Sequence, residues 1–484
     1  MSRLGLALAI LACAATTASA APGAPGSPDR GFGRGGVATL SDPFLSFDPS
    51  FLALQPDGGV LVGVAANVPG SSAGPGFVLA RFTKAGRVDP RFGRRGRVDT
   101  GLDRPRAAML ADGGFVVAGF TGDPTYPEIT LRFFDRSGTP KARSTTPLPG
   151  VNPDVVAVAA ETDGRVLVLL TGNRLYRFTA EGALEASVGS VSSYDGDVYA
   201  MAPLPDGRLL FAGSRGPLSG PLLARDLADG RPDVTFGLYG TAQLAGGGTI
   251  TALAVARDGT IVATGSVCDS GDCSLALWRI RADGNGGVLS RPGELRRVQP
   301  GGIAVDAAGG AVLAGWASPQ LGHPVIALRA GIDGRLDAGF GHAGRLDWPR
   351  RQPGVAGPVI APDGRILLGM REQLGTVDPE TEDSTDVAVV RLVRLWGGYD
   401  RRAPAIRARF ACAGARTVAR LRIEDRSRLR RLTVSLRGKR IRVRPQAHLA
   451  LGLRGGGQLR VVAVDQAGNR ASRTLRVPHC PVSG

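Results

Sequence analysis

The chain has 484 residues, 43% apolar and 21% charged, with 71 Gly and 34 Pro. That apolar content supports a full core, which excludes a disordered tail, and the length allows more than one domain. The formal charge of +17 sits at one end: from Asp400 onward 21 Arg or Lys face only Asp400, Glu424, Asp425 and Asp465, and the rest of the chain is neutral.

The start, Met1-Ser2-Arg3, the apolar run Leu4 to Ala15, then Thr16 to Ala20 before Ala21-Pro22, has the three parts of a secretory signal, with cleavage expected after Ala20. Lipid attachment at Cys13 is the alternative, and Leu11 fits that processing pattern poorly. The run is too short for a membrane span, so no transmembrane segment is expected, and the product is read as secreted or attached to the cell surface. Removal of the signal leaves Cys268, Cys273, Cys412 and Cys480. An even count in an exported chain predicts two disulfides, and the spacing pairs Cys268 with Cys273 and Cys412 with Cys480.

From Leu52 the chain repeats. The unit Leu52-Ala53-Leu54-Gln55-Pro56-Asp57-Gly58-Gly59-Val60-Leu61-Val62 returns around Asp112-Gly113, Asp163-Gly164, Asp206-Gly207, Asp258-Gly259, Ala308-Gly309 and Asp363-Gly364, in steps of 43 to 55 residues. Short apolar runs punctuated by Gly turns at such a period predict a propeller or solenoid of seven units. Each Asp-Gly suits a two-residue or slightly longer hairpin turn in which the Asp side chain bonds local backbone, and catalysis by these carboxylates is set aside. The third strand of a unit, Phe77 to Phe82 in the first, carries an Arg at nearly the same place in most copies (Arg81, Arg132, Arg177, Arg279, Arg329), read as an edge-ward or solvated position. A closing phrase follows as Asp89-Pro90-Arg91-Phe92-Gly93, Asp233-Val234-Thr235-Phe236-Gly237 and Asp337-Ala338-Gly339-Phe340-Gly341, its Phe placed to plug between units. Units two, three and five lack it, so their outer strands are expected to be frayed or short. The last unit also lacks it, but Asp29-Arg30-Gly31-Phe32-Gly33 stands at the N-terminus. A unit completed from both chain ends is what a closed ring needs and an open row does not.

These phrases resemble the delta-60 repeat family of bacterial exported propellers over roughly residues 28 to 395. The resemblance implies a β-propeller outside the cell and no defined activity. The expected fold is therefore all-β: a seven-bladed propeller of four-stranded blades over residues 21–399, the N-terminal strand closing the last blade.

Residues 400–484 alternate apolar residues with Arg in seven short segments, the pattern of a small sandwich with solvated outer faces. The end Val462-Ala463-Val464-Asp465-Gln466-Ala467-Gly468-Asn469 resembles bacterial immunoglobulin-like modules, which implies a spacer or adhesive unit. Alternating strands would show one basic face, with Arg422, Arg430, Arg437, Arg440, Arg442 and Arg444 as candidate contacts for a phosphate, sulfate or uronate polymer of an envelope. Against this, only Lys84, Lys141 and Lys439 are Lys, which favours a compositional origin of the charge.

Catalytic motifs are missing from the sequence. His323, His342, His448 and His479 are scattered, and no nucleophile elbow, His-Glu-x-x-His or phosphate loop occurs. The acidic loop 377–386 offers oxygen ligands for calcium without the ordered spacing of a calcium loop, and no cofactor is expected. The function expected is that of a non-enzymatic, monomeric binding scaffold with a basic tether, its partner a protein or glycan at a propeller rim, and nucleic acid disfavoured. The alternatives are an extracellular propeller enzyme, of lyase or quinone-dependent dehydrogenase type, and a purely structural envelope component.

Overall fold

The computed structural model describes residues 23–42, 45–67, 76–121, 127–148, 153–190, 196–216, 220–269, 272–291, 295–317, 324–348, 354–373, 388–397, 404–414, 416–424, 429–444, 446, 448–465 and 470–480. The expected signal segment, Cys13, His323 and the acidic loop 377–386 lie outside them. Among the described residues there is no helix, only strands.

Residues 37–395 form seven small antiparallel sheets, called blades one to seven below; six have four strands and blade four has three, and each comes from one sequence unit except blade seven, which takes its outer strand from the N-terminal segment. Blade one contains Ser46–Leu54, Val60–Asn67, Gly76–Phe82 and Arg97–Asp99, hydrogen-bonded in that order. First strands of successive blades pack side by side, and that of blade seven, Val355–Ile360, returns to that of blade one, so the sheets make a closed ring, a β-propeller. The apolar faces of neighbouring blades meet in continuous clusters, as where Leu61, Leu79 and Phe92 of blade one pack on Phe115, Val117 and Phe134 of blade two.

The hairpin turn is the same in each unit. The Gly58 amide donates to the Gln55 carbonyl and the Gln55 amide to that of Gly59, with Gly58 alone in the left-handed region at φ 83°. Asp57 keeps ordinary dihedrals and accepts the Gly59 amide at 2.8 Å. Asp112, Asp163, Asp206, Asp258 and Asp363 accept the amide two residues on in the same way. In unit six Ala308 replaces the Asp, and Asp306 accepts the amides of Ala308 and Gly310 in its place.

The ring closes with both chain ends in one sheet. Val37–Leu40 pairs antiparallel with Ala388–Leu395, Val37 opposite Val393 and Leu40 opposite Val390. Even the turn between third and fourth strands is rebuilt from two segments. In blade one Thr83 and Arg87 bond across that turn and the Gly86 amide donates to Thr83; in blade seven Trp396 and Ser27 bond likewise and the Gly26 amide donates to Trp396.

The Phe-Gly phrase is a latch between blades. Phe32, Phe92, Phe236 and Phe340 are each at most 1% exposed. The Gly after each Phe donates its amide to the next blade's turn: Gly33 to Ala85, Gly93 to Ser137, Gly237 to Asp283 and Gly341 to Pro25. The receiving turns carry Gly86, Gly138, Gly284 and Gly26 at positive φ, where a Cβ would collide with the latch.

Here the structure corrects two expectations. Outer strands of blades two and three, which lack the phrase, are long: Pro140–Pro147 and Leu184–Ser190 span 8 and 7 residues, against 3 in blade one. The phrase itself consumes chain in its bend, and in blades two and three its absence lets the chain turn back at once and pair along the whole third strand; in blade five, which also lacks it, the outer strand Gly287–Ser290 is short, at 4 residues. The third-strand arginines are not solvated either. Arg177, Arg225 and Arg329 are 7%, 5% and 2% exposed. Arg81, Arg225, Arg329 and Arg394 pair with Asp89, Asp233, Asp337 and Asp29, the first residue of the phrase each time. Arg225 also donates to Ala282 O (2.6 Å) and Arg394 to Lys84 O (2.7 Å), both in the following blade. Arg81 reaches across through Gln55, whose Nε2 donates to Gly113 O and Arg136 O in blade two.

Residues 405–477 form a separate two-layer sandwich. Ala405–Ala413, Arg416–Glu424 and His448–Arg454 make one sheet; Lys439–Ile441, Leu429–Leu436, Gly457–Asp465 and Arg470–Val477 make the other in that spatial order. Ile406, Leu421 and Ile423 of the first layer pack on Val434, Leu459 and Val461 of the second.

Two outcomes follow from the clamp. Breaking a buried pair from one side costs about 3–5 kcal/mol, because the other charge stays buried; Asp29→Ala should therefore lower the unfolding free energy of the propeller by about that much in denaturant titration, whereas the exposed Asp229→Ala should leave it nearly unchanged. Burial alone would raise the Asp233 carboxyl, but the Thr235 hydroxyl and amide and then Arg225 outweigh it and lower it from 3.8 to about 2. Its stabilisation, about 2 kcal/mol, is thus full above about pH 4 and disappears as pH falls toward 2. Stability measured from pH 5 to 2 should fall less steeply in Asp233→Asn than in the parent.

Candidate functional site: the arginine faces of the sandwich

Alternation along the sandwich strands sends every second side chain to the core and its neighbours to water. On Arg416–Glu424, Thr417, Ala419, Leu421 and Ile423 are buried while Arg416, Arg420 and Arg422 are exposed. Pairing then sets like charges opposite each other: Arg422 faces Arg407 on one side and His448 on the other, and Arg420 faces Arg409. Like charges directly opposite on a sheet are destabilising unless something neutralises them. Glu424 is the single described carboxylate in ion-pair reach, 2.7 Å from Arg422 and 3.6 Å from Arg407; Arg409 and Arg420 have none. The other sheet exposes Arg431, Arg440, Arg460, Arg470 and Arg476.

The sandwich therefore has two basic faces, which corrects the expectation of one. The six arginines singled out from the sequence do not form one patch. Arg422 lies on the three-stranded sheet and Arg440 on the four-stranded one. Arg437 sits in a turn with its Nε donating to Gly456 O at 2.7 Å, Arg442 and Arg444 are exposed on the segment after Ile441, and the Arg430 side chain lies outside the described residues. The sequence reading passed over Arg407, Arg409 and Arg420, whose proximity depends on pairing between strands and not on distance along the chain.

Both cysteine pairs are bonded. Cys268 joins Cys273 across the hairpin of blade five, and Cys412 joins Cys480, linking the first strand of one layer to the residues after the last strand of the other. Thr417 sits under the second bridge, its hydroxyl donating to Pro478 O at 2.9 Å and 3.2 Å from the Cys480 sulfur.

Elsewhere the hairpin-turn carboxylates are engaged in holding the fold. The Thr260 amide holds the Asp258 carboxyl below its ordinary range, and the Arg208 side chain does so for Asp206. His342 lies in the closing phrase of blade six, and His448 and His479 in the sandwich. Among the described residues no three His, Cys, Asp or Glu are grouped to hold a metal. No described helix is long and apolar enough to cross a membrane.

No family model matches the chain, and no curated protein does. Among solved structures it is similar to a catalytically inactive virginiamycin B lyase of Staphylococcus aureus, at 12% identity and TM-score 0.43, over 74% of this chain and 98% of that one. YCF48 of Cyanidioschyzon merolae is similar at 10% identity and TM-score 0.43, over 74% and 98%. PorZ of Porphyromonas gingivalis, an essential surface component of its type-IX secretion system, is similar at 12% identity and TM-score 0.41, over 89% of this chain and 59% of that one. At such identities and scores no activity or partner transfers.

The bridge with the longer loop should matter more. With sequence separations of 68 and 5, chain entropy assigns Cys412–Cys480 about 4 kcal/mol and Cys268–Cys273 about 2 kcal/mol. Cys412→Ser with Cys480→Ser should therefore lower the sandwich unfolding midpoint well beyond the effect of the other double replacement on the propeller, as read by denaturant titration.

Proposed function

We propose that the chain is an exported, non-enzymatic scaffold: a signal peptide over residues 1–20, a seven-bladed propeller of delta-60 type over 21–399 that presents a binding surface, and an immunoglobulin-like module over 400–484 that tethers it to an anionic polymer of the cell envelope. Seven repeated sheets in a ring support the propeller, and a three-stranded sheet against a four-stranded one supports the module. The disulfides favour an oxidising compartment.

The observation that carries the tether is the uncompensated row Arg407, Arg409, Arg420 and Arg422. The clamp guanidinium groups of the propeller, those of Arg81, Arg225, Arg329 and Arg394, are each paired with a structural carboxylate of their own, but these four share Glu424. Arg presents a planar fork to carboxylate, sulfate or phosphate, and a row on a rigid sheet suits a repeating anionic chain better than a single ion. Binding should be strongly weakened by salt, because the face is exposed.

The full-length protein should bind polygalacturonate or dextran sulfate in low salt. Replacing Arg407, Arg409, Arg420 and Arg422 with Gln, all solvent-facing, should weaken that binding by about tenfold or more and flatten its salt dependence, with the melting temperature held or raised as the like-charge pairs disappear. Unchanged affinity in the replaced protein would remove the tether.

A further inference from the structure

The propeller holds its own collection of unneutralised arginines, separate from the sandwich. Between the closing phrase of blade one and the third and fourth strands of blade two lies an open cleft of about 700 Å³. Arg91, Arg94, Arg97, Arg132, Lys141 and Arg143 line it, and Asp99 is its one lining carboxylate. Two of the six cations are engaged: Arg97 pairs with Asp42 at 2.7 Å and Lys141 with Asp112 at 2.9 Å. No described carboxylate lies within ion-pair distance of the other four.

The arrangement inside the cleft is unfavourable as it stands. Arg132 is directly opposite Arg143 across paired strands, a like-charge pair of the destabilising kind. Arg132 is also half-buried, and its Nε is fully buried without a hydrogen-bond partner. Burial, and after it the charge of Arg143, hold the Arg132 guanidinium below its ordinary range. A buried donor left unmade costs about 1–3 kcal/mol. Two sequence departures, found together in blade two, create the pair. Phe133 stands opposite Val116, where the other blades place their clamp arginine, and Arg132 is displaced by one residue onto the face toward blade one, beside Phe134. The missing Phe-Gly phrase lets Pro140–Pro147 run its full length, which brings Arg143 alongside.

We infer that this cleft binds an acidic saccharide segment carrying at least two carboxylate or sulfate groups. Four free guanidinium groups call for more than one anionic group, and the volume falls in the range of sites for ligands of several rings. The lining also includes Val98, Pro140 and Ala142, an apolar surface for the C–H face of a sugar ring. Phe133 and Phe134 are each 3% exposed, so no free aromatic face is offered to a nucleobase. An anionic group over Arg132 and Arg143 would accept from their terminal guanidinium N–H groups and convert a repulsive pair into a bidentate clamp.

Titration calorimetry in low salt tests this with a galacturonate trimer and a sulfated tetrasaccharide, using the full chain with Arg407, Arg409, Arg420 and Arg422 replaced by Gln so that the sandwich does not contribute. Binding by one or both is expected, and the pattern tells carboxylate from sulfate. Arg94→Gln and Arg143→Gln, both exposed and harmless to folding, should each weaken it by about tenfold, and Arg132→Met should abolish it. No binding of either saccharide, affinity unchanged by the exposed replacements, or equal affinity for a glutamate octapeptide would overturn the inference. Loss of polymer binding in the sandwich variant with saccharide binding intact would support both readings, since the two sites are independent.

Discussion

Outside blade two, the guanidinium groups on the third strands have to be neutralised inside the sheet stack, and the way this is done sets the architecture. A propeller blade is buried on both faces, so a cation placed there must find a carboxylate or a carbonyl within reach. In blades one, four, six and seven the partner is the first residue of the phrase that leads into the outer strand. Where Arg225 and Arg394 go on to the next blade's turn, one side chain fixes three things together: the third strand, the bend after it and the adjacent blade. Net stability from such a pair is small, because desolvation offsets attraction; what the pair enforces is placement. A blade docked out of position leaves a buried charge bare.

The same rule explains what lies on the surface. Charges that hold the ring are mutually satisfied, whereas those on the sandwich faces and in the cleft of blade two are not. Arg329 and Arg420 are both strand arginines, yet one sits 2% exposed against Asp306 and Asp337 and the other sits in water opposite another arginine. Satisfied cations belong to the fold, and like-charged neighbours without a counterion are where a ligand would improve matters.

Much of this was legible in the sequence and the rest was obscured for identifiable reasons. The period, the Asp turns, the split phrase at Asp29 to Gly33 and both cysteine pairings depend on local chemistry or on counting, and they read directly. The burial of the third-strand arginines is hidden because a charge on a strand ordinarily signals solvent. A signal was present: Arg81 and Asp89, Arg225 and Asp233, and Arg329 and Asp337 are each eight residues apart, and units two, three and five, which lack the phrase, lack that Asp too. The outer strands of blades two and three were misjudged because a missing motif was taken for missing structure. Arg407 beside Arg422, and Arg132 beside Arg143, could not be read without strand pairing.

The offset between the repeat in the sequence and the blade in space has a consequence for how such chains change length. A repeat that carries the phrase begins in one sheet and ends by fastening it to the following one, and the seam where the two termini meet reproduces a turn that other blades make with continuous backbone. Duplicating or deleting such a repeat would therefore add or remove a sheet together with its own fastening, with the terminal seam unaltered. The contacts that close the circle would then be the same in a ring of one blade more or one fewer.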